Sequence, residues 1–424
     1  MRQPADTRFH PAPPRAADAH GPTILPPVDR TLPLLLHGYA WLPEQLRRHD
    51  GPALRTRLPR RPAVALHGPE AVRFFYDERH IHRAGVLPEP VRSTLFGHGA
   101  VHGLDGPEHQ LREAMFLGLL ADPHRVDQLV DSVGAAWDQS VPLWRERGRI
   151  VLLDAVADVL TAGVARWAGL TLRDDEVPTP ARDLVAMVDG FATLGPRHWR
   201  ARLAHRRRER ELAGLIEAVR DGSIDVPAGS AVQTVAQHRD ADGAPLNPRV
   251  AAMELLNILR PTVAVCWFAA FAAHALHRWP DNRERLAKDD PGFATAFAQE
   301  VRRFYPFAPF VAGRAATDLT FAGEPIPAGT MVLLDLYGHQ HDPALWGDPY
   351  AFRPQRFLDT PLIPQGGDPA TGHRCPGEAI VVGLLELLAP RLARLDYTVP
   401  DRDLAIPLSR VIARPDSGFV IVLA

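Results

Sequence analysis

The sequence has little of what marks several common classes of protein. It holds two cysteines in 424 residues, whereas a disulfide framework needs more cysteines in a far shorter chain. A structural zinc site needs closely spaced ligand pairs, which two isolated cysteines do not supply. The formal net charge is -2, so the positive excess that a general nucleic-acid binder needs is absent. These three classes are therefore excluded.

Long apolar segments are missing as well. No run reaches the ~18 residues of a membrane span, because His274 interrupts the run that begins at Val263. Residues 1–30 hold prolines and charges where a signal peptide would have its apolar segment. They predict a disordered, proline-rich arm, followed by one folded domain over residues 31–424. We expect a cytoplasmic protein.

Lysine is nearly absent, since Lys288 is the only one and every other basic chain carries arginine or histidine. In bulk this skew is typical of coding bias. One run, residues 198–210, is dense in arginine. It predicts either a solvated helix surface or a surface that meets a membrane or an acidic ligand.

Helices dominate the predicted fold, because apolar residues recur every three or four positions between residues 107 and 300. The clearest helices are at residues 126–144, 153–170, 180–194 and 249–278, with a last one at 377–395. Strands are expected at residues 53–58 and 63–67, and as a pair at 319–321 and 331–336 around a turn at 323–329. The pattern indicates a mainly α protein with a small β-rich part.

The two cysteines lie in different settings. Cys266 lies in an apolar run and is predicted to be a buried, inert thiol. Cys375 follows a loop and opens a helix, where free N–H groups favour a thiolate. Pro376 has no N–H, so Gly377 and its successors would donate. Such a thiolate is typical either of a nucleophile or of an axial ligand of haem iron.

A charge pair precedes this cysteine. Glu300 and Arg303 are three residues apart on a predicted helix and share a face. Arg356 follows in the segment Phe352-Arg-Pro-Gln-Arg-Phe357. In this order, with Cys375 and Gly377 behind them, these residues resemble the cytochrome P-450 superfamily, which has an E-x-x-R helix, a P-x-R-F segment and a haem-ligating cysteine. The resemblance implies the cytochrome P-450 fold, a single large domain, and haem b bound through Cys375.

The sequence departs from that superfamily at two places. Before the cysteine, Asp368, Thr371 and His373 stand where Phe, Gly and Arg are usual. In the central helix, Arg260-Pro261 takes the place of the acid–alcohol pair of monooxygenases. A proline inside a helix costs ~3 kcal/mol or more, and an arginine among leucines and valines needs a counter-charge. The residues alone also allow a helix that breaks at Pro261, with Arg260 paired to a protein carboxylate.

Together, Arg260-Pro261 and the segment Gly372-His-Arg-Cys-Pro-Gly-Glu378 resemble the bacterial fatty-acid peroxygenases of this superfamily, from about Thr31 to the C-terminus. The resemblance implies that Arg260 holds the carboxylate of a long-chain fatty acid. That carboxylate then replaces the missing protein acid in proton transfer from hydrogen peroxide, and no redox partner is required. Anchoring the carboxylate leaves Cα and Cβ within reach, so the implied reaction is hydroxylation there.

Seven further residues are candidates for the site. The resemblance places the loop that contains His102 beside the haem. At this position the family has Gln or His. The histidine form occurs in members that decarboxylate fatty acids to 1-alkenes, although some members with this histidine mainly hydroxylate. Without the resemblance, His102 is a loop histidine with no catalytic role. Phe96 is predicted to pack near it. The remaining candidates are His109, Arg112 and His373 as haem-propionate contacts or mere surface residues, and Phe310 and Val311 for the alkyl channel.

The sequence leaves rival functions open. The nearest rival uses the same site to decarboxylate fatty acids to terminal alkenes. A second is a monooxygenase that takes electrons from a redox partner, and a third is a non-catalytic haem or fatty-acid binding protein. Product analysis with hydrogen peroxide and no reductant separates all four.

Overall fold

The computed structural model describes residues 28–424 except 50, 59, 289, 357–361, 364, 365, 368–372 and 402–403. The arm predicted for residues 1–30 lies outside these residues apart from its last three, so its disorder stays a prediction. The backbone of Asp29 pairs with Arg57 at the edge of a sheet, and the first helix follows directly.

Seventeen α-helices lie in the described part of the chain. They are α1 (Thr31–His37), α2 (Trp41–His49), α3 (Pro69–Tyr76), α4 (Glu89–Val91), α5 (Gly106–Leu120), α6 (Pro123–Arg147), α7 (Leu152–Ala168), α8 (Pro178–Gly190), α9 (Pro196–Arg220), α10 (Ala231–Gln237), α11 (Pro248–Val263), α12 (Val265–Arg278), α13 (Asp281–Ala287), α14 (Pro291–Phe304), α15 (Leu336–Gln340), α16 (Pro343–Trp346) and α17 (Glu378–Arg394). The fold is therefore mainly helical, as predicted.

Ten strands form three small sheets in the same residues. They are β1 (Ala53–Leu58), β2 (Arg61–Leu66), β3 (Ile81–His82), β4 (Arg149–Val151), β5 (Phe310–Ala315), β6 (Leu319–Phe321), β7 (Glu324–Ile326), β8 (Met331–Asp335), β9 (Tyr397–Thr398) and β10 (Val420–Leu423). The largest sheet has the order β1-β2-β8-β5-β3, and the others are β4-β10-β9 and β6-β7. Within the largest, only β2 and β8 are parallel.

The largest sheet is covered on both faces, which explains its alternating apolar residues. Val64 and Val332 join the cluster that contains α3. Ala65 and Leu333, one residue further along, join the cluster that contains Trp41 of α2. The sheet is thus a buried wall rather than an exposed one.

The helices α11 and α12 form the centre of the molecule. Together they are long and apolar enough to cross a membrane by length and composition, but 94% of that apolar window is buried inside the fold. They therefore form a core helix. The helix is interrupted at Ala264, one turn after Pro261, whose missing N–H removes the hydrogen bond to the carbonyl of Asn257.

Two local predictions were wrong. The strands at 319–321 and 331–336 do not pair, because β6 pairs with β7 inside the predicted turn and β8 lies between β2 and β5. The helix predicted to reach residue 194 ends at Gly190. A Cβ at Gly190 would collide with the carbonyl of Arg197, so the close crossing of α9 requires a glycine there.

Candidate active site

Arg260 lies at the centre of the molecule with no counter-charge bonded to it. Its side chain is 3% exposed. Nη1 donates a hydrogen bond to the carbonyl of Leu95, and Nη2 donates to Asn257 Oδ1 at 2.9 Å. Both acceptors are neutral, and no carboxylate lies within ion-pair distance among the described residues. Burial lowers the pKa of Arg260 to about 9, opposed by the charge of Glu254. Arg260 is therefore a buried cation that a bound anion would neutralise.

A buried hydrogen-bond network lies behind Arg260. Asn257 Nδ2 donates to Glu254 Oε2 at 3.2 Å. Glu254 Oε1 accepts from Arg112 Nη1 at 2.6 Å and from the backbone N–H of Val101 at 2.9 Å. Arg112 Nη2 then reaches Asp240 Oδ1 at 2.6 Å, near the surface. Glu254 is thus hydrogen-bonded both to Asn257, which contacts Arg260, and to Val101, which precedes His102 in its loop.

That histidine, His102, shares a neighbour with Arg260, the ring of Phe96. The centroid of its ring lies 4.4 Å from that of Phe96, and the Arg260 guanidinium lies 5.7 Å from the centroid of the same Phe96 ring. Burial lowers the pKa of His102 to about 3, helped by the charge of Arg260. Its Nδ1 is buried and has no hydrogen-bond partner among the described residues. His102 is therefore a neutral imidazole with a spare polar atom.

Cys375 is exposed and lies three residues before α17. Desolvation of the sulfur by the surrounding protein raises the pKa of Cys375 to about 11, although the backbone N–H of Gly377 bonds to the sulfur, as predicted, and lowers the pKa. The nearby cations do little because Arg302 and Arg374 both pair with Glu378. A nucleophilic cysteine needs a lowered pKa. A metal ion deprotonates the thiol that it binds, so the site fits a metal ligand better than a nucleophile.

Two imidazoles lie together near this loop. The rings of His109 and His373 are 3.9 Å apart, and with Glu78 their ligand atoms lie within 4.8 Å of one another. Burial lowers the pKa of both histidines, that of His373 to about 3. His109 Nδ1 is buried and unpartnered among the described residues. Both rings are thus neutral N–H donors beside Cys375.

Two groups of predicted site residues lie elsewhere than expected. Arg112 is buried and committed to Glu254 and Asp240, a pairing that does not support a propionate contact. Phe310 and Val311 are successive residues of β5 and point to opposite faces. Phe310 packs against the α2 side and Val311 against the α3 side. The strand therefore gives no support for placing both in one alkyl channel, and that assignment stays a prediction.

The predicted charge pair is formed and fully buried. Arg303 Nε and Nη2 each lie 2.8 Å from a carboxylate oxygen of Glu300, the bidentate geometry that arginine allows. Arg356 Nε lies 3.4 Å from Glu300 Oε1. Arg356 Nη1 donates to the carbonyl of Trp346 and Nη2 to that of Ala351, at 2.7 Å each. The triad of Glu300, Arg303 and Arg356 thus fixes the backbone at Trp346 and Ala351, which precede the cysteine in the chain.

Sequence reasoning missed four residues of this site. Glu254 and Asn257 precede Arg260 by six and three positions, and this helical spacing was a usable signal. Arg302 lies inside the Glu300–Arg303 motif but pairs with Glu378. His205 of α9 is buried, and burial together with Arg260 lowers its pKa to about 4. For Arg302 and His205 the partner lies far along the chain, so the sequence held no signal.

The chain is similar to known proteins both as a family and as individual relatives. A family model described as Cytochrome P-450 matches residues 292–367. Among curated relatives, cytochrome P-450 71B17 of Arabidopsis thaliana is 34% identical over 139 residues, which is 29% of this chain and 27% of that protein. (+)-Menthofuran synthase of Mentha piperita is 31% identical over 155 residues, 33% of this chain and 30% of that protein. These alignments span about a third or less of the relatives' own length.

Solved structures match over nearly the whole chain. Cytochrome P-450SP alpha (CYP152B1) in complex with (R)-ibuprophen is 42% identical with a TM-score of 0.90, over 93% of this chain and 98% of that one. Cytochrome P-450EX alpha (CYP152N1) with myristic acid is 33% identical, TM-score 0.89, over 95% and 99%. A variant of cytochrome P-450 OleT in complex with arachidonic acid is 35% identical, TM-score 0.89, over 93% and 96%.

Proposed function

Because the chain belongs to the cytochrome P-450 superfamily, we propose that it is a fatty-acid peroxygenase of the CYP152 kind. It uses hydrogen peroxide to hydroxylate long-chain fatty acids at Cα and Cβ. Similar structures hold myristic acid and arachidonic acid, which supports a fatty acid as the substrate. A redox partner is not required in this proposal.

One observation carries the proposal: Arg260 is buried and charged, and its hydrogen bonds within the described residues go to neutral groups. A fatty-acid carboxylate supplies the missing counter-charge, and the guanidinium can bind both of its oxygens. The alkyl chain then extends into the apolar interior. Among the carboxyl groups of the described residues, none is bonded to Arg260, so the substrate is the natural partner.

Haem iron is implied by family membership, and we propose haem b. The residues present fit it: Cys375 is an exposed residue whose sulfur has an N–H donor from Gly377. The neutral rings of His109 and His373 offer N–H donors suited to propionates. When bound, thiolate-ligated haem supplies the chemistry that cleaves the O–O bond and oxidises the substrate.

The protein contributes position and proton control. Arg260 holds the carboxylate of the substrate in place. One oxygen of that carboxylate accepts a proton from hydrogen peroxide and returns the proton to the oxygen that leaves as water. Glu254 cannot do this, since its oxygens are engaged by Arg112, Val101 and Asn257. Anchoring at the carboxylate also limits oxidation to the first carbons of the chain.

A second candidate reaction is decarboxylation to a terminal 1-alkene at the same site. His102 favours it, because its neutral ring lies against Phe96 within reach of the Arg260 charge. An imidazole there can hydrogen-bond the substrate carboxylate and alter the fate of the oxidised substrate. Hydroxylation and decarboxylation differ in products, so one assay separates them.

The test uses the haem-loaded protein, myristic acid and hydrogen peroxide without any reductant, with products identified by mass spectrometry. We expect 2- and 3-hydroxymyristic acid. Tridecene as the main product would replace the first proposal by the second. Turnover that needs a reductase and NAD(P)H, or none with haem intact, would overturn both.

A further inference from the structure

The helix α9 has two different faces. Its inner face packs against α11 and against the turn Arg92–Phe96. This face carries the buried His205, whose pKa is lowered by burial and by the charge of Arg260. Its outer face and the preceding turn expose Leu194 (76%), Trp199 (58%) and Leu203 (62%) to solvent. A single helix therefore separates the buried arginine pocket from an apolar patch on the surface.

The same outer face carries unpaired positive charge. Residues 196–210 contain seven arginines and one glutamate. Three of these arginines pair with aspartates: Arg197 with Asp189, and Arg207 and Arg208 with Asp183. The others are Arg200, Arg202, Arg206 and Arg210, which have no carboxylate within ion-pair distance in the described part of the chain. Arg202 lies 5.7 Å from the Trp199 ring.

A second apolar cluster lies on the same side of the molecule. Of the ten large apolar side chains exposed in the described residues, four are Val28 and three leucines of α1 at positions 32, 35 and 36. Tyr39, just after α1, donates its backbone N–H to the carbonyl of Leu408. Arg197, at the start of α9, donates to the carbonyl of Val411. The two clusters thus flank one short loop, and together they hold seven of the ten exposed residues.

We propose that this face, formed by α1, the α8–α9 turn and the start of α9, binds the surface of an anionic phospholipid bilayer. Leucine and tryptophan gain from entering the apolar boundary while arginines bind phosphate, the pattern of an interfacial helix. A second copy of the chain is a poorer occupant, because a symmetric contact would place two arginine-rich segments against each other. If the proposed function holds, the face lets the protein take free fatty acids from the bilayer in which they dissolve.

Vesicle co-sedimentation of the full, haem-loaded chain tests the proposal. We expect binding to phosphatidylcholine vesicles that contain about one-third phosphatidylglycerol, weak binding to pure phosphatidylcholine, and release by salt. Trp199→Ala with Leu203→Ala is expected to lower the partition coefficient about tenfold or more. Arg200→Glu with Arg206→Glu is expected to lower it at least as much.

Matched controls lie elsewhere on the surface. Leu143→Ala removes an exposed leucine of α6, and Arg145→Glu with Arg166→Glu makes the same change of charge at exposed positions of α6 and α7, outside the face; neither is expected to reduce binding. The proposal is overturned if the wild type stays in the supernatant, or if controls and face variants bind alike. It is also overturned if sedimentation velocity reveals a dimer that depends on Trp199 and vesicles are not bound.

The outcome is separate from that of the proposed function. Vesicle binding is measured without peroxide, and turnover of dissolved myristic acid is measured without vesicles. A protein that binds vesicles but oxidises no fatty acid keeps this surface and refutes the peroxygenase. A protein that oxidises dissolved myristic acid but does not bind vesicles refutes only the proposed membrane-binding surface.

Discussion

Asn257 joins Arg260 to the buried carboxylate of Glu254. Its amide oxygen accepts from Arg260 Nη2 at 2.9 Å, and its amide nitrogen donates to Glu254 Oε2 at 3.2 Å. Since residues three apart share a helix face, the three side chains form a line toward Arg112. An asparagine suits this place because it accepts from the cation at one end and donates to the anion at the other.

Replacing Asn257 by leucine is expected to weaken fatty-acid binding without loss of haem. The guanidinium loses one of its two positioning bonds, and a bond to a charged group contributes about 1.5–3 kcal/mol, or roughly tenfold or more in the dissociation constant of myristic acid. Absorbance titration of the haem-loaded protein measures that constant. Thr262→Val is the control, since Thr262 is a buried polar residue of the same helix that bonds only to Ile258. An equal effect of both changes would argue against a positioning role for Asn257.

Replacing Arg260 by alanine is expected to lower turnover of myristic acid about a hundredfold or more, because a buried anion would lose its partner. Arg260→Lys is expected to lose less, since it keeps the charge but not the paired geometry. The neutral analogue 1-tetradecanol serves as the control substrate. Its binding should not depend on the arginine charge, and full activity of Arg260→Ala on myristic acid would refute the carboxylate anchor.

Local patterns in the sequence predicted the parts of this molecule that depend on near neighbours. The strand at 53–58 and the long central helix followed from apolar spacing, and the Glu300–Arg303 pair followed from a three-residue separation. The pairing of β8 did not follow, because β2, its parallel partner, lies more than 260 residues away and contributes no local signal. The single-domain, mainly helical fold was confirmed.

At the site, the limit was the same. Arg260 was found because a charge in an apolar helix stands out. Arg112 was assigned to the cofactor because it opens a helix beside His109, yet its partner Glu254 lies 142 residues further along. The different settings of the two cysteines were predicted from their immediate neighbours, and Cys266 is fully buried as predicted. The high pKa of Cys375 was not foreseen, because it depends first on how the folded chain buries the sulfur and then on the charge of Glu378.

Replacing Cys375 by alanine is expected to remove the ~450 nm band of the ferrous–CO complex, which a thiolate ligand produces. No other cysteine can substitute, since Cys266 is buried in the core. The band is read by difference spectroscopy on protein reconstituted with haem. Cys266→Ala is the control and should keep the band. A band that survives in Cys375→Ala would mean that another residue ligates the iron.

The pH dependence of stability should change when Asp158 of α7 is replaced by asparagine. Burial, followed by the neighbouring charge of Asp154, raises the pKa of Asp158 from 3.8 to about 6. The folded state therefore holds its proton more tightly than the unfolded state, so stability falls as pH rises through this range. Asp158→Asn removes the penalty. We expect it to be more stable than the wild type toward urea at about pH 8, with the gain shrinking toward about pH 4. The exposed Asp131→Asn should give no such trend, and a gain that is independent of pH would contradict the assignment.

Replacing His102 by glutamine is expected to lower the share of tridecene relative to hydroxymyristic acid. The imidazole is neutral, carries a free Nδ1 and lies against Phe96 beside Arg260, so it can hydrogen-bond the substrate carboxylate and favour loss of carbon dioxide. Glutamine keeps a hydrogen-bond donor but has no ring to hold against Phe96. Both products are quantified from one peroxide-driven reaction, which makes their ratio independent of the amount of active enzyme. His98→Gln is the control, because His98 is exposed and bonds to Glu89 instead. If the ratio stays constant in His102→Gln while total turnover falls, His102 positions the substrate but does not select the product.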